Sequence, residues 1–185
     1  MTTHIALLRA INVGGRALVK MEDLRKAFER AGCLSVRTYI NSGNVLFELP
    51  AGPRTAVLEK VCRGVGALLG NEPDILYRTG RELERIVADK PFKGLEGKPA
   101  VKFYVVFLSR KAKKKPKLPY LSVKEAVEIV AMTDREICIV SRPKKNGFYG
   151  FPNGVVESEL GVSATSRNWN TVTKLVELAQ PSAKD

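Results

Sequence analysis

Between residues 4 and 79 the apolar residues switch between strand and helix periods in a fixed order, and this order most constrains the fold. Residues 4–12 alternate as a strand, with Ile5, Leu7 and Ile11 on one side and Ala6, Leu8 and Ala10 on the other. Gly14 and Gly15 break it. Met21, Leu24, Phe28 and Ala31 then recur at helical spacing, with Glu22 and Asp23 in the first turn and Gly32 placed as a stop. Residues 36–41 and 44–49 read as two arms of a hairpin turned at Ser42-Gly43. Pro53 opens a second helix to about Gly70, and 74–79 form a fourth strand. The order β-α-β-β-α-β predicts a ferredoxin-like plait, an antiparallel sheet with both helices on one face.

Residues 80–185 read as a second, imperfect α+β unit. A helix is expected over 81–89 and a strongly apolar strand over 100–108. A hairpin is expected over 127–132 and 136–140, a loop over 142–154, and a last helix over 168–179. The fold class is therefore α+β, divided at 79/80, with the two units able to pack as one domain.

Composition excludes several chemistries. A single histidine, His4, rules out Ser-His-Asp triads and multi-histidine metal sites. Cys33, Cys62 and Cys138 form no CxxC and no zinc spacing, which suits a reducing compartment. No metal or cofactor is expected. No apolar run approaches the roughly 20 residues of a membrane span, and Arg9 interrupts the only short apolar run at the N-terminus. The expectation is a cytoplasmic protein with no membrane partner and an oligomeric state that the sequence leaves open.

Three motifs hold most of the polar residues beside glycine turns. The first runs Ala6-Leu7-Leu8-Arg9-Ala10-Ile11-Asn12-Val13-Gly14-Gly15, followed by Lys20-Met21-Glu22-Asp23-Leu24. The second is Val36-Arg37-Thr38-Tyr39-Ile40-Asn41-Ser42-Gly43-Asn44-Val45-Leu46-Phe47. The third is Arg167-Asn168-Trp169-Asn170-Thr171, read as a helix start behind Thr165 and Ser166. Together, in order and spacing, they resemble the bacterial family called domain of unknown function 1697. That resemblance implies an α+β fold built on ferredoxin-like units and a cytoplasmic protein, and it implies no activity. The chain departs from the family pattern at Ala10, where glycine is usual, at Asn41, where glutamine is common, and over 150–159.

Glycine turns and helix starts expose N–H groups that suit anions. Arg9, Asn12, Gly14, Gly15, Ser42, Asn44, Arg167, Asn168, Asn170 and Thr171 are thus candidate ligands for a phosphate-bearing or other anionic small molecule. Each also has a plain structural reading, as a tight turn, a hairpin turn or a helix cap.

A second reading comes from net charge. The chain has 31 Lys+Arg against 19 Asp+Glu, a net +12. Nine of those charges lie in two segments: Arg110, Lys111, Lys113, Lys114, Lys115 and Lys117, then Arg142, Lys144 and Lys145. If both flank the open end of the 127–140 hairpin they merge into one patch for nucleic acid, DNA or RNA, bound without sequence preference. The plain alternative is solvated loops that aid solubility. A third reading is an enzyme acting on a phosphorylated metabolite at the first site. His4 opens the first strand and reads as an edge histidine rather than a base; the remaining acid–base candidates are Lys20, Tyr39, Glu48 and Lys174, and none has a visible partner in sequence.

Overall fold

A computed structural model describes residues 2–12, 19–95 and 100–180. Among them the chain is a mixed α+β fold of two antiparallel sheets and five helices. It divides into a unit of Met1–Glu84 with Lys174–Asp185 and a unit of Arg85–Thr173.

In the first unit, β1 (Thr3–Leu8), β2 (Leu34–Tyr39), β3 (Asn44–Glu48) and β4 (Ile75–Thr79) form a sheet of order β2-β3-β1-β4. Helices α1 (Met21–Arg30) and α2 (Arg54–Leu69) join the strands where the helical period predicts them. Ala6, Leu8, Val45 and Phe47 on one sheet face pack with Leu24, Phe28, Val61 and Val65 of these helices. Burial of this apolar surface is the main stabilising term. The opposite sheet face is not bare: Ile5, Leu7, Leu46 and Leu76 are also buried. Helix α3 (Gly80–Ala88) starts with a reciprocal cap, in which the Thr79 N–H donates to Glu82 Oε2 at 2.6 Å and the Glu82 N–H donates to Thr79 Oγ1 at 3.3 Å.

In the second unit, β5 (Lys102–Leu108), β6 (Tyr120–Ser122), β7 (Val127–Met132), β8 (Glu136–Ser141) and β9 (Ala164–Asn168) form a sheet of order β6-β7-β8-β5-β9. Helix α4 (Pro152–Leu160) packs Val155 and Val156 over Val106, Ile137 and Ile139 on one face. Phe92 is buried and meets Phe103 and Trp169, with ring centroids 4.7 and 5.0 Å away. The last helix, α5, covers Trp169–Ala179.

Three elements differ from the sequence expectation. The short strand β6 was not expected. The segment read as loop turns helical at Pro152, a residue suited to a first helical turn, and stops at Gly161 with φ 61°. The third motif is shared by two elements: residues 164–168 are the edge strand β9, paired with β5 through Val105↔Arg167 and Phe107↔Thr165, and the last helix starts within the motif at Trp169, one residue after the expected 168.

Candidate functional site

The first two motifs meet in space. Asn12 donates from Nδ2 to the carbonyls of Val19 and Asn41, both at 3.1 Å, and its Oδ1 accepts the Val19 N–H at 2.9 Å. It therefore ties the start of the first helix to the hairpin turn. Asn44 is fully buried and donates to the Tyr39 carbonyl and to Ser42 Oγ. Gly43 has φ 71°, and a Cβ there would lie 2.8 Å from the Leu8 Cβ, so the turn admits little but glycine. Arg9 is half-exposed and lies 3.8 Å from the Asp74 carboxylate. Ala10, where the family pattern has glycine, has φ 55°, the left-handed region that favours glycine. Gly14 and Gly15 lie outside the described residues.

In the third motif, Arg167 is a buried strand residue. Its guanidinium donates to Thr165 Oγ1 at 2.8 Å and to the Ser166 carbonyl at 2.9 Å, and burial pushes its pKa down to about 10. Asn168, not Ser166, holds the helix start: its Oδ1 accepts the Asn170 N–H at 2.9 Å. Thr171 follows in the first turn of α5. These hydrogen bonds of Asn12, Asn44, Arg167 and Asn168 thus go to the chain's own atoms.

The acid–base candidates are placed as follows. His4 is buried, with Arg54 donating to its Nδ1 at 3.1 Å, and burial and then the Arg54 charge lower its pKa. Burial pushes the Cys33 thiol up to about 11, away from a reactive thiolate. Lys174 pairs with Glu177 at 2.7 Å. Among the described residues no cluster of three His, Cys, Asp or Glu side chains is placed to hold a metal ion.

The two basic segments do not merge. Strand register places 110–117 beside the 133–136 turn, where β5 ends against Glu136. It places 142–145 at the other end of β8, where Ser141 faces Lys102 and Val127. Roughly 17 Å of strand separates the two ends. The sequence expectation failed because 110–117 follows the end of β5, and β5 runs antiparallel to β8.

At the turn end, Asp134 receives Lys111 and Lys115, both at 2.8 Å, and these two ammonium groups hold its carboxyl down at about 2. Arg110 donates to the Gly161 carbonyl at 3.1 Å. Lys113, Lys114 and Lys117 are exposed.

At the other end, the acids are also engaged: Lys144 holds Glu125 at 2.6 Å and Arg142 holds Glu128 at 2.7 Å. A shallow depression of about 470 Å³ opens there, lined by Val123, Lys124, Ala126, Pro143, Lys144, Lys145 and Asn146. Its rim is a tied loop. The Lys144 N–H donates to the Phe148 carbonyl, the Phe148 N–H donates to Asn146 Oδ1, and Pro143 bridges Tyr149. Lys102 Nζ stands 3.8 Å above the Tyr149 ring. Sequence reading passed over Lys102, Lys124, Phe148, Tyr149 and Phe151. The signal was present as three aromatics, Phe148, Tyr149 and Phe151, closely following Lys144 and Lys145.

Fold and surface together define an α+β protein of two antiparallel sheets, one of which ends in a basic surface studded with aromatic rings. The chain belongs to the family described as Protein of unknown function (DUF1697), whose model matches residues 1–137. The third motif and the loop of Phe148 lie beyond the matched stretch. The chain is also similar in fold to the conserved bacterial protein SP0830 from Streptococcus pneumoniae. That likeness has a TM-score of 0.61 at 18% identity, over 97% of this chain and 99% of that one. No curated protein matches the chain. Among the described residues no helix is long and apolar enough to cross a membrane.

Proposed function

We propose that this protein binds nucleic acid through its phosphates, at the end of the second sheet formed by Lys102, Lys124, Lys144 and Lys145. The carrying observation is the depression beside Lys124 and Lys145, whose neighbouring carboxylates Glu125 and Glu128 are already neutralised by Lys144 and Arg142. The unit that holds it has 17 Lys+Arg against 8 Asp+Glu, a net +9 of the chain's +12. A field of that sign draws a polyanion in from a distance and fades with salt.

This reading is preferred over a small anionic ligand held by the three motifs, because Asn12, Asn44 and Arg167 donate to the chain itself. The sheet order β2-β3-β1-β4 with its two joining helices supports reading the first unit as a ferredoxin-like plait. Three free thiols fit a cytoplasmic setting.

The test is fluorescence anisotropy of a labelled oligonucleotide across a salt series. Lys102, Lys124 and Lys145 as phosphate contacts predict a slope of log K on log salt of about −2. Lys124→Gln with Lys145→Gln makes it shallower by about 1.4. Absence of binding at low salt, or an unchanged slope in the variant, overturns the proposal.

A further inference from the structure

From this phosphate-binding reading we infer that the surface takes single-stranded nucleic acid, with Phe148 and Phe151 as platforms on which unpaired bases stack. Phe148 is 73% and Phe151 63% exposed, among the largest exposures of any large apolar side chain among the described residues. An exposed phenyl ring is normally a cost, since each loses the gain of burial. Two of them three positions apart, in a segment that also carries Lys144 and Lys145, need an occupant with flat apolar faces and negative charge. Unpaired bases on a phosphate backbone have both, and every base offers a π-face. In a duplex those faces are already stacked on one another.

The loop is held ready for this. Its backbone is tied at Lys144, Asn146 and Tyr149. Gly150, between the two phenylalanine positions, is buried so closely that a Cβ would lie 1.9 Å from the Glu125 carbonyl oxygen. The chain at that glycine therefore packs directly on the 123–126 turn and on Val127 of β7, which positions the backbone between the two rings. Phe151 is followed directly by Pro152, which opens α4, so its backbone too is set by a regular element. A rigid aromatic loses little conformational freedom when a base lands on it.

The charge pattern selects this occupant over an apolar protein partner. The segment that carries Phe148 also carries Lys144, Lys145 and Asn146; the depression has Lys124, Lys144 and Lys145 and no acid in its lining, and Glu125, which accepts the Phe151 N–H, is held by Lys144. A purely apolar partner would strand those ammonium groups at the interface.

The experiment compares three probes of equal length by anisotropy: an oligothymidylate, its abasic counterpart with the same phosphates, and a duplex. The wild-type chain is expected to bind the oligothymidylate roughly tenfold or more tighter than the other two. Phe148→Ala with Phe151→Ala removes that advantage and leaves abasic binding unchanged. Phe148→Leu with Phe151→Leu, which keeps apolar area without a π-face, also removes it, and Phe148→Trp restores it. Circular dichroism confirms that these surface variants stay folded. If the abasic strand binds as well as the oligothymidylate, or the leucine variant matches wild type, base stacking is overturned while the lysine reading stands. If the duplex binds as tightly as the single strand, single-strand selection is overturned. If no probe binds but vesicles of phosphatidylserine or a protein partner do, both readings fall.

Discussion

The two basic segments of the second sheet carry similar charge and differ in what surrounds it. At the turn end, Lys111 and Lys115 close on Asp134, and Arg110 is used on the Gly161 carbonyl. No aromatic side chain lies between Arg110 and Lys117. At the far end, Lys144 and Arg142 neutralise Glu125 and Glu128, the lysines beside them line a depression, and exposed rings follow in the same segment at Phe148 and Phe151. A run of lysines in sequence is therefore a poor guide to a binding surface. What the lysines pair with, and what flat apolar surface lies beside them, separates a solvated loop from a site.

The largest effect should come from Gly150→Ala. The obstructing atoms are backbone, so the loop or the 123–126 turn must shift, at a cost of about 3 kcal/mol. Thermal unfolding should then fall by roughly 6–12 °C, with oligonucleotide binding lost at the aromatic end. An unchanged melting temperature would show that the tie at Gly150 does not hold the rings. A smaller effect is expected from Lys113→Gln with Lys114→Gln at the turn end. The salt slope should change by less than about 0.7, half the change expected for Lys124 and Lys145. Equal slopes for the two pairs would mean that both ends bind, and the contrast between them would disappear.

Much of the first unit was legible in sequence, because its elements each have a clean period and a chemical stop. Met21, Leu24 and Phe28 predict α1, and Gly32, at φ 97°, ends it. The second unit was less legible. Strand β9 reads Ala-Thr-Ser-Arg-Asn, with no apolar alternation, because its burial depends on Val105 and Phe107 beside it. Its Arg167, a candidate ligand by sequence, is a buried strand residue. Helix α4 carries Gly154, Val155 and Val156, all weak helix formers, and forms through packing on the sheet. Its Pro152 start and Gly161 stop were readable signals. The separation of the two basic segments depends on strand direction and register, which composition does not record. The exposed rings were in plain view at 148 and 151, but a sequence alone does not say that they face water.

The most discriminating effect concerns Asp134. Its folded pKa of about 2 lies below the ordinary 3.8 because Lys111 and Lys115 bond the ionised form. A depressed folded value means that this contact adds stability above the ordinary carboxylate pKa, and that the contribution is lost as pH falls through about 2. The pair is exposed, so the gain is slight and screened by salt. A carboxyl-detected NMR titration should place the Asp134 midpoint near 2, rising toward 3.8 in a Lys111→Gln, Lys115→Gln chain. At neutral pH, Asp134→Asn releases both ammonium groups without touching the rings. If pairing alone keeps the turn end idle, the salt slope should steepen by up to about 1.4. Single-strand preference should stay where Phe148 and Phe151 set it. An unchanged slope would assign the difference between the two ends to the aromatic rings, since two freed lysines without a stacking surface would then have gained nothing.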